Sequence, residues 1–410
     1  MALTVVWLTL GVAYGLYFSF SVFFVSLLEE FRWSRGLTAG IFSVATIVQG
    51  LASPLVGALV DRIGPRLVLL TGAALLGAAS ILASRVQHLW ELYLITGVLA
   101  ALGLAGAGWV PSGALLARWF SHRRGGVIGL AFSGMGIGVF VIGPLAQFLI
   151  DQTGWRQANF LLGVATLIFL IPLLWFGLRT APPAPPQAAF PRGARESAGN
   201  GSPDRSPAAG ASLGPTVRQA VATRAFWALF AASFVTPLAV MPVFTHQVAF
   251  AVDQGYPRMF VASVFGVAGL LSSFGRIGFG MISDRIGREL SATLSFGCTA
   301  GGTLALLGLE VLRDPGFLYA YAILFGLGFG ARGPIMTAMA TDFFGGTRFG
   351  AIYGILNFGN GIGSAIGPWF GGVVHDLTGS YRWAFLASVG FCAVAAACFW
   401  SVPSRRADVR

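Results

Sequence analysis

Lysine is absent from this 410-residue chain; all 26 of its basic residues are arginine. Acid is also scarce, with 15 Asp plus Glu, so only 10% of residues are charged against 56% hydrophobic, and the mean hydropathy is +0.77. A chain with so little charge is not a soluble domain and reads as a polytopic membrane protein, with the lipid bilayer as its first partner. The net charge of +11 sits in short clusters between apolar stretches, a distribution that argues against nucleic acid as a partner. Only three cysteines occur, Cys298, Cys392 and Cys398, each inside an apolar segment. They show neither a disulfide framework nor metal-ligand spacing. No Walker A loop, nucleophile triad or metal cluster stands in the sequence, so neither ATP drive, nor catalysis, nor a metal or cofactor is expected. The first apolar run has no charged leader and no clear cleavage site, and reads as an uncleaved first helix.

Apolar stretches are what the chain has in quantity. They fall at about 3–28, 37–60, 66–84, 90–117, 125–150 and 157–179, then at 225–251, 259–283, 290–311, 317–341, 349–374 and 382–402. Most are long enough to cross a bilayer, which takes about 20 residues. The pattern predicts an all-α membrane protein of twelve transmembrane helices in two halves, 1–180 and 217–410. The stretch 181–216 between them is rich in Pro, Gly, Ser and Ala and reads as a cytoplasmic linker. Arginine sets the orientation. With the N-terminus inside, 17 arginines fall in inner segments and 7 in outer loops; Arg276 and Arg332 remain within the membrane. Both termini are expected in the cytoplasm, with the protein in the cell inner (plasma) membrane.

The halves repeat. Gly57, Asp61, Arg62 and Gly64 match Gly280, Asp284, Arg285 and Gly287 at an offset of 223 positions, and Pro111 matches Pro334 at the same offset. Gly143-Pro144 matches Gly367-Pro368, and Asp151…Gly154 matches Asp376…Gly379. Six helices per half give parallel repeats related by an axis along the membrane normal.

Arg276 carries the functional argument. It lies eight residues before Asp284, which is ~12 Å into the membrane at 1.5 Å per residue, against a hydrocarbon half-thickness of about 15 Å. A guanidinium there costs at least ~2.5–3.5 kcal/mol and keeps its proton. No deep Asp or Glu is available to pair with it, and its repeat equivalent is Ser53, so the scaffold does not require an arginine. An anionic substrate would supply the counter-charge, because the guanidinium fork matches a carboxylate. Arg332, on the tenth stretch, precedes Gly333-Pro334 and reads either as a donor to freed carbonyls and neighbouring helices or as a second anion contact. Asn357 and Asn360 share a helix face and serve either the substrate or interhelical hydrogen bonds. Tyr14 and Tyr17 lie near mid-depth of the first helix, where a buried phenol needs a partner; aromatic packing is the alternative. His246 is a titratable group near the outer end of helix 7.

The loop signature Gly57…Asp61-Arg62…Gly64…Arg66, with its shorter copy Gly280…Asp284-Arg285…Gly287-Arg288, resembles that of the major facilitator superfamily. Arg276 on the eighth helix, the glycine run Gly354…Gly363…Gly367-Pro368 on the eleventh and the tyrosine-bearing first helix look most like monocarboxylate transporters and bacterial oxalate/formate exchangers. The resemblance implies the major facilitator fold, substrate carboxylate binding at Arg276, inner-side latches at the two Asp-Arg loops and a proton as co-substrate. Asn360 stands where oxalate exchangers carry a lysine. Ser272 stands where animal monocarboxylate transporters carry an aspartate, and the first helix has no lysine. These readings converge on a secondary transporter of small organic monocarboxylates such as lactate or pyruvate. The rivals are a dicarboxylate or formate exchanger, which needs a second cation, and a lipophilic drug exporter, for which a positively charged cavity is a poor fit to cationic compounds.

Overall fold

The computed structural model describes residues 2–119, 124–178, 215–345 and 349–402. Nearly all of the expected 181–216 linker therefore lies outside the described residues. Among the described residues the chain is helical and has no strand. Ten helices are long and apolar enough to cross a membrane. One of them, within Arg124–Gly177, breaks at Gly154, whose φ of 80° no continuing helix adopts. Phe349–Thr378 is a further 30-residue helix. Together these make twelve crossings. They are α1 (Ala2–Phe31), α2 (Arg35–Ile63), α3 (Pro65–Ala83), α4 (Leu89–Leu116), α5 (124–153), α6 (155–177), α7 (Arg224–Asp253), α8 (Arg258–Ile286), α9 (Arg288–Gly308), α10 (Gly316–Phe344), α11 (Phe349–Thr378) and α12 (Arg382–Trp400). α1 begins and α12 ends on one face, here the terminal face.

Local chemistry sets the boundaries. The Ser34 side chain caps α2 by accepting from Leu37 N at 3.2 Å. Gly64, at φ 84°, ends α2, and Pro65 opens α3 in the first turn, where its missing N–H costs nothing. The repeat is visible in the backbone. Gly64 and Gly287 have φ of 84° and 94°, and Gly154 and Gly379 have 80° and 72°. Each pair occupies equivalent positions, where only glycine enters this region without strain. The close crossings repeat too. A Cβ on Gly138 of α5 would lie 1.8 Å from the Gly11 carbonyl of α1, and one on Gly363 of α11 would lie 2.1 Å from the equivalent Phe234 carbonyl of α7. Small residues let helices touch backbone to backbone where lipid supplies no hydrophobic drive.

Three helices are interrupted. α1 is interrupted at Ser19, and α7 at Ala239–Val240 between Pro237 and Pro242. α4 passes through a π-helical stretch, Tyr93–Ala100, and breaks at Gly108.

The halves meet through α2 with α11, α5 with α8, and the second segments of α1 and α7. These contacts lie at the membrane centre and toward the face opposite the termini. A Cβ on Gly372 would meet the Arg35 carbonyl at 2.6 Å, and one on Gly136 would meet the Gly269 carbonyl at 2.2 Å. Toward the terminal face, Gly57, Gly64, Gly278, Gly350, Gly354 and Gly361 have no neighbour within 4 Å of a Cβ position. Among the described residues no hydrogen bond or ion pair joins the halves there. As far as the described residues go, the halves are closed at the face opposite the termini and parted at the terminal face.

Candidate functional site

Arg276 lies on α8 where the two halves touch. Its Nη1 donates to the Phe132 carbonyl of α5 at 2.7 Å. One turn earlier on the same helix face, Ser273 Oγ donates to the Ser133 carbonyl, also at 2.7 Å. Ser133 Oγ in turn accepts from Trp7 Nε1 of α1 at 3.2 Å. Two successive carbonyls of one half are thus clasped by two side chains of the other. Half-buried Arg276 has no ion pair among the described residues. A guanidinium offers five N–H donors, and the Phe132 carbonyl takes one. A planar acceptor with a full negative charge would suit those left over.

Tyr14 comes close to this arginine. It is buried, within electrostatic reach of Arg276, and its hydroxyl faces the Trp109 backbone at the break in α4. That break follows Gly108, where a Cβ would lie 3.3 Å from the Tyr14 oxygen. Tyr17 turns the other way. Its ring packs on Phe42 at 5.0 Å, and its buried hydroxyl has no partner. It lines a cavity of about 50 Å³ inside the first half, with Ser80, Thr96, Trp155 and Asn159. The structure therefore does not bring Tyr17 to Arg276.

Arg332 is likewise held apart. Its Nη2 donates to the Thr299 hydroxyl of α9, and its guanidinium lies 5.5 Å from the Phe296 ring centre, near Cys392 of α12. Its Nε is buried without a partner. The side chain faces the interior of the second half.

Asn357 and Asn360 are exposed on α11. They fall on a polar stripe with Tyr353 and Ser364, separate from the apolar face of Phe358, Ile362 and Trp369. The Tyr353 hydroxyl bonds the Thr337 hydroxyl of α10 at 2.7 Å, joining the stripe to the helix that carries Arg332. No hydrogen bond joins either asparagine to Arg276 among the described residues.

The two copies of the signature lie on the terminal face, and among the described residues no hydrogen bond or ion pair joins one copy to the other. Asp61, Arg62 and Arg285 are exposed and make no ion pair among the described residues. Asp284 pairs within its own half with Arg288, at 2.5 Å.

The closed face holds a polar network that sequence reasoning missed. Arg35 forks onto Asp253 of α7 at 2.6 and 3.1 Å, and its Nη1 also donates to the Tyr381 hydroxyl at 2.8 Å. Burial pushes the Tyr381 phenol above its ordinary value against the opposing pull of Arg35, so it keeps its proton. Asp376 of α11 accepts from the backbone N–H groups of Arg35 and Gly36 at 2.9 and 2.8 Å, capping α2 across the halves. Glu29 pairs with Arg258 in a second cross-half bond. In the sequence these residues are only charges at span ends; the match of Asp376 to Asp151 was the one signal that could have singled one out. His246 is fully buried beside this network, with Nε2 on the Pro368 carbonyl at 2.9 Å. Among the described residues no three His, Cys, Asp or Glu gather as a metal site.

The Major Facilitator Superfamily model matches residues 6–331 and 311–410. The chain belongs to that superfamily. It is 28% identical over 385 residues to monocarboxylate transporter 13 of Rattus norvegicus, covering 93% of this chain and 83% of the relative. It is 31% identical over 391 residues to monocarboxylate transporter 11 of Homo sapiens, covering 92% and 77%. It is 30% identical over 380 residues to monocarboxylate transporter 4 of Mus musculus, again covering 92% and 77%. Among solved structures, a bacterial homologue of the human lysosomal transporter Spinster, inward-facing and unoccupied, superposes with a TM-score of 0.71 at 15% identity, covering 98% of this chain and 97% of that one. That likeness concerns the fold alone. This superfamily member is a multi-pass transporter with two six-helix halves.

Proposed function

We propose that this protein is a secondary transporter of small monocarboxylates of the lactate and pyruvate class, proton-coupled and working by alternating access. The observation that carries the reading is Arg276: a permanently charged side chain at the junction of the halves, without an acidic partner among the described residues, on the helix where the family resemblance puts carboxylate recognition. Its relatives' names support the same substrate class. A substrate carboxylate would displace the Phe132 carbonyl and take the guanidinium fork, with Tyr14 as the nearest phenol and Asn357 and Asn360 along the approach on α11. Because the clasp between α5 and α8 passes through Arg276, occupancy of the site and contact between the halves are linked.

The arginine bias supports a cytoplasmic terminal face; in this reading the protein sits in the inner (plasma) membrane and the parted face opens inward. The division into 1–180, a cytoplasmic linker 181–216 and 217–410 belongs to the same reading. Gly57, Asp61, Arg62, Gly64, Asp284 and Arg285 would then latch the terminal face when the molecule opens outward. A dicarboxylate exchanger needs a second cation at the site, and the orientation of Arg332 toward Thr299 weighs against it. A single fixed cation also weighs against an exporter of cationic drugs.

The test is uptake of labelled lactate into proteoliposomes by Arg276→Lys and Arg276→Ala, with folding checked by melting. Both are expected to lose uptake, since lysine keeps the charge but not the planar fork. Normal uptake by the alanine variant removes Arg276 from the site. A thermal-shift screen of the parent against small carboxylates gives independent support, because a ligand that binds only the folded state raises apparent stability.

A further inference from the structure

The network on the closed face has a titratable group set into it. His375, one residue before Asp376 on α11, lies with its ring centre 4.4 Å from that of Tyr381, the residue whose hydroxyl Arg35 holds. His246 of α7 packs on the same Tyr381 ring at 4.8 Å. The charged groups within reach of His375 are Arg35 from α2, Asp253 from α7 and Asp376 from its own helix. Arg382, which opens α12, pairs with Glu310 of the α9–α10 loop at 3.2 Å. His375 is half-buried, whereas His246 is fully enclosed.

We propose that this cluster is a proton site of the transport cycle: a proton taken up by His375 from the aqueous phase at this face frees the start of α2 from Asp253 and Asp376 and lets the face open. The proposal rests on the reading of the protein as proton-coupled and names the group that senses the proton.

The argument is one of competing donors. Asp376 holds α2 through two neutral N–H groups, those of Arg35 and Gly36. An imidazolium within electrostatic reach of Asp253 and Asp376 competes for both carboxylates with a full positive charge. It also sets a like charge beside Arg35. Both effects draw the carboxylates away from α2. The cost of burying a cation in the closed cluster is relieved once the face opens to water. Protons therefore favour the open form of this face. Imidazole is the side chain whose ordinary titration falls in the physiological range. The network needs no acidic residue within the membrane, which agrees with Ser272 standing where animal relatives are expected to carry an aspartate.

The experiment measures opening directly and needs no substrate. Spin labels are placed on the full-length protein, its native cysteines replaced, at exposed Gln87 in the α3–α4 loop and exposed Leu312 in the α9–α10 loop. Both positions are on the closed face, one in each half. Their separation is read by pulsed electron spin resonance in nanodiscs at about pH 7.5 and about pH 5.5, on either side of the ordinary imidazole pKa. A longer-distance population is expected at the acid pH in the parent. It should be lost at both pH values in His375→Gln, and present at both in His375→Arg, which carries a fixed charge. Asp376→Asn, which weakens the cap on α2, should also open at both. A parent distribution indifferent to pH, or an acid shift that persists in His375→Gln, overturns the proposal. Because the readout is substrate-free, a protein that shows the shift but takes up no monocarboxylate would refute the substrate reading while leaving the latch in place.

Discussion

At the scale of single residues, the two membrane arginines differ by direction. Arg276 points across the junction to a carbonyl of the other half, and Arg332 points back to Thr299 of its own half. The sequence supplied the depth of both and the absence of acidic partners, which is why Arg276 was legible as a candidate. It did not supply direction, because rotation about a helix axis is settled by packing against neighbours. The same limit separates Tyr14 from Tyr17. They are three residues apart on α1, yet one approaches Arg276 and the other lines a cavity within the first half. Asn357 and Asn360 were readable as a shared face, and α11 presents them, exposed, on a polar stripe. A substitution there probes the site without touching Arg276. Asn360→Lys would add a second cation on the helix where oxalate exchangers are expected to carry one. A dicarboxylate gains a partner in that variant, while a monocarboxylate leaves a charge unpaired in a site shielded from water. Competition of labelled lactate by oxalate and malonate should shift toward the dicarboxylates by several-fold. An unchanged ranking would exclude Asn360 from the site.

At the scale of elements, the positions of all twelve spans were legible from apolar length, but their interruptions were not. The expected stretch 125–150 is continuous with 157–179 apart from the kink at Gly154, and helices run past the apolar limits into polar ends, as at Thr378 and Phe344. The breaks in α1 and α7 and the π-helical stretch of α4 carry no hydropathy signal, because hydropathy does not report where a backbone hydrogen bond is skipped. Glycines let helices pack closely, and here the structure separates one on α5 from one on α2. Gly138 lies against the Gly11 backbone, whereas Gly57 has empty space around it. Gly138→Ala must push apart two backbones that have no soft side chain to give way. It should cost about 1–3 kcal/mol, in the range for overpacking a close contact, and lower the melting temperature in detergent. Gly57→Leu should leave melting unchanged, since nothing lies near it in this conformation. Its uptake should fall sharply if the terminal face closes at Gly57. Normal uptake by Gly57→Leu would mean that α2 does not pack there in any state of the cycle.

At the scale of the whole molecule, one face is held by Arg35, Asp253, Asp376 and the Glu29–Arg258 pair, while among the described residues the signature residues on the other face make no hydrogen bond or ion pair across the halves. The sequence repeat predicts two equivalent halves. It does not predict which face is shut, since that depends on contacts between halves rather than within them. This arrangement places His246, the titratable candidate of helix 7, in a definite role. It is fully buried, Nε2 is engaged with the Pro368 carbonyl, and Nδ1 is buried without a partner. An Nε2–H donor fixes the neutral tautomer with its free lone pair on Nδ1. A second proton at Nδ1 would find no acceptor. The ring therefore acts as a tie between α7 and α11, wedged where a Cβ on Gly371 would meet it at 2.6 Å. His246→Gln should lower the melting temperature, through lost packing on Phe24 and Tyr381, and preserve the stimulation of lactate uptake by an inward proton gradient. In the same proteoliposomes His375→Gln should lose that stimulation and, with the closed face kept shut, slow lactate exchange at equal pH as well. Loss of the gradient response in His246→Gln, with exchange intact, would make the buried imidazole the relay and the half-buried one a bystander.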